Sequence, residues 1–466
     1  MRFTKYVALL LTLGGVMMGC MPQMDRSWAE PRPLGREFET YQTPEQPAPE
    51  FPPTYNVTVE PAGKLTLGRA LALALLRNPE LAVFSWEVRQ AEARMLQARL
   101  LPNPELEVEF ENFGGDDAFE SDDALESTVA LSQLIELGGK RVKRARLAAV
   151  ERDLETWDYE AKRLDVLTKT TRAFVEVLAA QERLVLHDEL ARLAEQVAGT
   201  ISERVKAGKV SPIEETRAEV ALSSARIERD RAIRGLEASS KMLAAAWGGE
   251  VADFSRAEGN LDEIRAIPSF EQVEQRISQN PELARWVAEM ALRQAALDLE
   301  KANRIPDVTI NGGIRRFEET DDNAFVFGFS IPIPLVDRNQ GAILEAEYGL
   351  AKANEEQRAA EINVRGGLTE AYKRLSTAHA EVLTLKNDVI PGAESVFNGV
   401  EEGYRQGKFG YLEVLDAQRT LFNARGQYLE ALAAYHVGVV DVEEIIGEGL
   451  NIDPPIHQTK EPKHDE

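Results

Sequence analysis

Glu105-Leu106-Glu107-Val108-Glu109-Phe110-Glu111 alternates without interruption, with a carboxylate at every odd position and an apolar side chain at every even one. An extended strand sends successive side chains to opposite faces, so this stretch has one acidic face and one apolar face. Leu125, Val129, Leu131, Ile135 and Leu137 share a face of a second strand, and Val308, Ile310 and Ile314 share a face of a third. Phe325, Phe327, Phe329, Ile331 and Ile333 line a fourth. The patterns predict strands over about 104–113, 125–137, 307–317 and 324–334. Each hairpin closes on acids: Asp116, Asp117, Glu120, Asp122 and Asp123 in one, Glu318, Glu319, Asp321 and Asp322 in the other. In a soluble sandwich the apolar faces meet a core; in a barrel they meet lipid. Four strands cannot close a barrel, for which about eight is the practical minimum. Lipid-exposed sheet edges are not tolerated. If these strands span a membrane the chain must oligomerise, and three copies supply twelve strands. A pair of hairpins packed on soluble helices is the alternative.

The strands sit inside a duplication. Asn78-Pro79-Glu80-Leu81-Ala82 recurs as Asn280-Pro281-Glu282-Leu283-Ala284, and Pro104 recurs as Pro306 at the same spacing. Further on, Arg204 to Lys209 matches the stretch ending Tyr404-Arg405-Gln406-Gly407-Lys408, aligned on Gly208 and Gly407, and Leu222, Ala225 and Arg226 match Leu421, Ala424 and Arg425. A near-constant offset over these features marks two copies of one plan. Each copy reads helix, strand, strand, long helix, turn, helix. Arg141 to about Val205 contains no proline and almost no glycine, which gives a rod of about 100 Å at 1.5 Å per residue. Its narrow apolar stripe suits a coiled coil or a wall of packed helices. Gly208 and Pro212 turn it into a second helix, Ile213 to Trp247. The second copy repeats this with Glu345 to Tyr404, a turn at Gly407, and Leu412 to Ile446.

The chain of 466 residues carries 54 Lys and Arg against 78 Asp and Glu, a net charge of -24, which disfavours nucleic acid as a partner. Such acidity is compatible with cationic solutes, and by itself it is more simply read as solubility. Arg2 and Lys5 followed by apolar Val7 to Met18 have the layout of a secretory signal over 1–19, too short to span a bilayer as a helix. The single cysteine, Cys20, directly follows Gly19, as in the lipobox of lipoproteins, with Met17 where leucine is commonest. Cys20 is therefore the expected lipidation site. Met21 in place of aspartate leaves out the usual inner-membrane retention signal. The proline-rich part of 20–60 reads as an extended tether. Two repeats, 61–260 and 261–450, and a polar tail, 451–466, complete the expected organisation. After the signal no run of 18 apolar residues occurs.

Leu100-Leu101-Pro102-Asn103-Pro104-Glu105-Leu106, Glu111-Asn112-Phe113-Gly114-Gly115, and Leu131-Ser132-Gln133 running into Ile135-Glu136-Leu137-Gly138-Gly139-Lys140-Arg141 resemble the first hairpin of the cobalt-zinc-cadmium resistance branch of the TolC family. The general resemblance to TolC-family outer-membrane efflux proteins covers roughly residues 60–448. It implies a mainly α fold with a membrane β-barrel portion: a homotrimer, a twelve-stranded barrel in outer-membrane lipid, and a long periplasmic helical tunnel. Its implied partners are a periplasmic adaptor protein and an inner-membrane transporter of the RND class. Tips in the family carry a Tyr-x-x-Gly element followed by two carboxylates that constrict the pore. That assigns a periplasmic gate to Tyr404, Gly407, Glu413 and Asp416. Relatives have a basic residue where Phe409 stands, so a gate salt bridge is in question here.

Glu413 and Asp416, three residues apart, lie on one face of a helix. The turns at Gly208, Lys209 and Pro212, and at Gly407, Lys408 and Tyr411, are the expected adaptor-docking tips. Glu105, Glu107, Glu109 and Glu111 are the expected barrel lumen lining, twelve carboxylates in a trimer. His187, His379, His436, His457 and His464 are scattered without metal-ligand spacing, so no metal site is expected, nor any cofactor beyond the N-terminal lipid. No catalytic arrangement stands out. The reading is a passive conduit for heavy-metal cations. Its rivals are the same channel serving drugs or other organic solutes, and a periplasmic coiled-coil lipoprotein that spans no membrane.

Overall fold

The computed structural model describes residues 33–46, 62–114 and 124–450. The expected signal segment, Cys20, the loop acids Asp116, Asp117, Glu120, Asp122 and Asp123, and the tail with His457 and His464 lie outside the described residues. The first repeat runs β1 (Gly63–Thr66), α1 (Leu67–Arg77), α2 (Pro79–Ala98), β2 (Glu105–Glu111), β3 (Glu126–Ile135), α3 (Lys140–Lys206), α4 (Pro212–Ala245) and β4 (Phe254–Glu258). The second runs α5 (Phe270–Glu274), a 3-10 turn (Ile277–Gln279), α6 (Pro281–Asn303), β5 (Val308–Phe317), β6 (Asp322–Ser330), α7 (Gln340–Thr384), a π turn (Leu385–Val389), α8 (Ile390–Arg405) and α9 (Tyr411–Ile446).

The repeated Asn-Pro-Glu-Leu-Ala has the same task twice. The Asn78 and Asn280 side chains cap α2 and α6, accepting from Leu81 N at 3.0 Å and Leu283 N at 2.9 Å. Pro79 and Pro281 occupy the first helical position, where a missing N–H costs nothing. Each asparagine amide also donates to the end of its own repeat's last helix, Asn78 to Ala246 O at 2.8 Å and Asn280 to Ile445 O at 2.7 Å. One residue thus starts a helix and closes the repeat.

β2, β3, β5 and β6 form one antiparallel sheet in that order, so the two hairpins join edge to edge through β3 and β5. β6 stops at Ser330, earlier than the expected 334, because Pro332 and Pro334 lack the N–H a ladder needs. The four-residue β1 and five-residue β4 make a separate parallel pair that sequence pattern did not reveal. On α3, Gln181 serves it as a surrogate strand, donating to Ala257 O at 3.0 Å and accepting from Ala257 N at 2.8 Å.

α3 is one unbroken helix of 67 residues, a rod of about 100 Å. Its second-repeat counterpart, expected from Glu345 to Tyr404 without a break, is divided. Pro391 cannot donate and its ring crowds the carbonyl four residues back, and the π turn at Leu385–Val389 takes up the misfit. Along α7 the buried positions Ala353, Ala360, Val364, Leu368, Ala371, Leu375, Ala378 and Val382 are spaced by seven, four or three, a coiled-coil seam.

Part of the expected tether is instead docked. Arg163 on α3, 2 % exposed, pairs with Glu160 at 2.7 Å and donates to the carbonyls of Leu34 and Gly35 at 3.1 and 3.2 Å. Thr40 Oγ1 lies 2.6 Å from the Tyr159 hydroxyl, and Thr43 bonds Ser85 and Arg89 on α2. Buried polar groups that need partners hold residues 33–46 against α2 and α3.

Candidate functional site

Directly opposed residues in a sheet share a face, so the register sorts every strand residue. One face carries Leu106, Val108 and Phe110 of β2, Val129 and Leu131 of β3, Ile310 and Ile314 of β5, and Phe325, Phe327 and Phe329 of β6. Phe325 is 84 % exposed in the single chain, so this apolar band has no cover. The opposite face is built in rows. Glu105 aligns with Ser132, Asn311 and Gly328; Glu107 with Ala130, Gly313 and Val326; Glu109 with Thr128, Arg315 and Ala324; Glu111 with Glu126, Phe317 and Asp322.

All four predicted lining glutamates therefore share a face, and Glu126 joins them. Glu105, Glu107 and Glu109 form no ion pair among the described residues. Glu111 does: Arg315 places Nη2 2.7 Å from it and Nη1 2.9 Å from Glu126, with Nε donating to Thr128 Oγ1 at 2.9 Å. Sequence reasoning missed Arg315 because its partners lie about two hundred residues earlier and meet it only through the β3–β5 register.

The two far turns are built alike. At the end of α3, Gly208 N donates to Val205 O and Lys209 N to Arg204 O; at the end of α8, Gly407 N donates to Tyr404 O and Lys408 N to Gly403 O. Gly208 (φ 69°) and Gly407 (φ 75°) sit in the left-handed region that such a helix stop requires. Gly208, Lys209, Pro212, Gly407 and Lys408 are exposed. Tyr411 is not. It is 3 % exposed and packs with Ile201 and Ala218, so it is a core residue of the tip rather than part of a docking surface. Burial, with Tyr404 and Glu214 nearby, pushes its hydroxyl up to about 12.

Tyr404 packs against the same cluster, with the Arg204 guanidinium 4.9 Å over its ring and its hydroxyl enclosed without a hydrogen-bond partner. Phe409 lies on Gly403, where a Cβ would come within 2.2 Å of the ring. The tip is thus held by aromatic packing at the position where a basic residue was expected to matter. Glu413 and Asp416 are exposed on α9 and unpaired among the described residues. Asp416 lines a groove of about 650 Å³ between α4 and α9, with Val220, Leu412, Leu415 and Arg419. Gly403 had no visible signal in the sequence, and Arg204 had only that of the repeat.

Among the described residues no helix is long and apolar enough to cross a membrane, and no group of three or more His, Cys, Asp or Glu is arranged to hold a metal ion. The model of the outer membrane efflux protein family matches residues 70–249 and 273–448, one match per repeat. The chain belongs to that family. It is 37% identical over 388 residues to the cobalt-zinc-cadmium resistance protein CzcC of Cupriavidus metallidurans, covering 83% of this chain and 91% of that protein. It is 26% identical over 295 residues to the nickel-cobalt-cadmium resistance protein NccC of Alcaligenes xylosoxydans xylosoxydans, covering 63% and 65%. The crystal structure of the Campylobacter jejuni CmeC outer membrane channel superposes with a TM-score of 0.70 at 17% identity, over 83% of this chain and 87% of that one. As an outer membrane efflux protein the chain is a channel of the outer membrane, mainly helical, with the four-stranded sheet as the barrel portion.

Proposed function

We propose that the chain is the outer-membrane conduit of a three-part pump for heavy-metal cations, with three copies closing one twelve-stranded barrel. The observation that carries this is the division of the four-stranded sheet into an apolar face and an acidic face, with both edge strands unpaired. The edges demand partners in lipid. β2 and β6 run antiparallel across a junction between copies, so the sheet can continue around a ring without a break in pattern. Ile213, Val220 and Ile227, all exposed and seven residues apart on α4, offer a helical seam to a neighbour.

The acidic face becomes the lumen wall, which favours cations by its field rather than by coordination. The metal class follows from the resistance proteins among the relatives. A periplasmic adaptor docks at the exposed tips around Gly208 and Gly407, an inner-membrane RND transporter supplies the energy, and Glu413 with Asp416 ring the closed end. Cys20 carries the lipid anchor. The conduit catalyses nothing.

Deleting the gene and comparing tolerance decides cargo: loss of zinc, cobalt or cadmium tolerance with antibiotic tolerance intact supports this reading. The reverse pattern assigns the channel to organic solutes. A heat-resistant trimer extracted in detergent is expected, and its absence would sink the barrel reading in favour of a coiled-coil lipoprotein.

A further inference from the structure

We infer that Arg315 sets the charge of the barrel's hairpin-side mouth by cancelling carboxylates there while those nearer the helices stay bare. The inference rests on the proposed reading of the acidic face as the lumen wall. Glu111 and Glu126 stand directly opposite each other, an arrangement that like charges disfavour. Arg315 reaches them from β5 with two nitrogens, at 2.7 and 2.9 Å, and fixes its third to Thr128. Asp322 stands in the same row, so three negative charges there become two. Glu105, Glu107 and Glu109 have no such partner among the described residues. Without Arg315 the outer row would hold three bare charges against one in each row nearer the helices, so the arginine moderates the wall where its acids crowd. A cation drawn along the bare rows meets a weaker hold at the outer row than three unpaired carboxylates would give, and Arg315 is the residue that sets that difference.

The test reads local charge with thiol reagents, in full-length protein reconstituted in liposomes. Ala324 lies directly across from Arg315 on the acidic face, and Phe325 lies on the apolar face. Ala324→Cys supplies a probe whose reaction rates with a cationic and an anionic methanethiosulfonate are compared. Adding Arg315→Gln should raise the cationic-to-anionic rate ratio about fivefold, the effect of one unit charge ~8 Å away in water acting oppositely on the two reagents. Arg315→Lys should leave the ratio near its starting value. The difference should collapse at about 1 M salt, where the screening length is ~3 Å. Glu111→Gln with Glu126→Gln, which keeps the guanidinium and removes its partners, should lower the ratio and serves if Arg315→Gln fails to assemble. A ratio unmoved in both backgrounds overturns the inference and leaves Arg315 a structural clamp. A thiol at 324 shielded from both reagents while Phe325→Cys reacts would overturn the lumen reading itself.

Discussion

Asn78 and Asn280 make the same two bonds at matching places, yet the strands that follow them carry different chemistry. In the first repeat β2 brings four glutamates to one face of the sheet; in the second β5 and β6 bring Arg315, glycines and the exposed phenylalanines. The helices diverge in the same way. α3 is unbroken over 67 residues, whereas its counterpart is interrupted by the π turn before Pro391. At the tips, Arg204 and Val210 of the first repeat align with Gly403 and Phe409 of the second. The shared features close each repeat, and the differing ones lie on the two faces of the sheet, along the long helices and at the tips. Duplication has kept the frame and freed the surfaces.

The sharpest way to break that symmetry is at Arg163, which holds residues 33–46 to the first repeat. Arg163→Ala strands Glu160 and two backbone carbonyls in the interior, and a loss of about 3–5 kcal/mol is expected. A urea midpoint in detergent measures it, and a loss below ~1 kcal/mol would mean the docked segment does not depend on this pair. Next come the repeat closures. Asn280→Ala should cost about 2–3 kcal/mol and Asn78→Ala about 1–2, since both lose a cap and a tertiary bond but Asn280 is the more buried. Equal costs would show that burial does not distinguish the two junctions.

At the tips, Gly403→Ala should force Phe409 off its seat at about 1–3 kcal/mol. Arg204→Ala, at the aligned position, should cost only the stacking on Tyr404, about 0.5–1 kcal/mol. Bilayer recordings on both give the functional readout, with more frequent opening expected for Gly403→Ala. The smallest effect is alkaline. The folded-state hydroxyl of Tyr411 titrates at about 12, above the unfolded value of ~10, so stability is intact below pH 10 and falls as pH rises through 12. Tyr411→Phe should flatten that fall in a melting series, and an unchanged slope would assign it elsewhere.

Much of this frame was legible because it repeats or alternates. The strict alternation from Glu105 to Glu111 exposed the two faces, and the duplicated asparagine-proline motif exposed the repeats. What stayed hidden depends on partners far apart in the chain. Prolines around 31–53 signal an extended tether, and nothing local shows that Arg163 and Tyr159 capture part of it. Arg315 sits in a strand of mixed pattern, and its partners emerge only from a register spanning some two hundred residues. Tyr411 falls within the turn region expected around Gly407 and Lys408, but it opens α9 on the side that packs against α3 and α4.

The open edges of the four-stranded sheet also have a genetic meaning. A copy able to pair through one edge and blocked at the other, for example by a proline in β6, would still enter a growing ring and would stop it. Such an allele is a poison rather than a loss. In the proposed ring of three, and expressed equally with the intact chain, it would leave about one ring in eight free of it, so resistance would fall far below half. The sheet edge makes this channel vulnerable to its own defective copies.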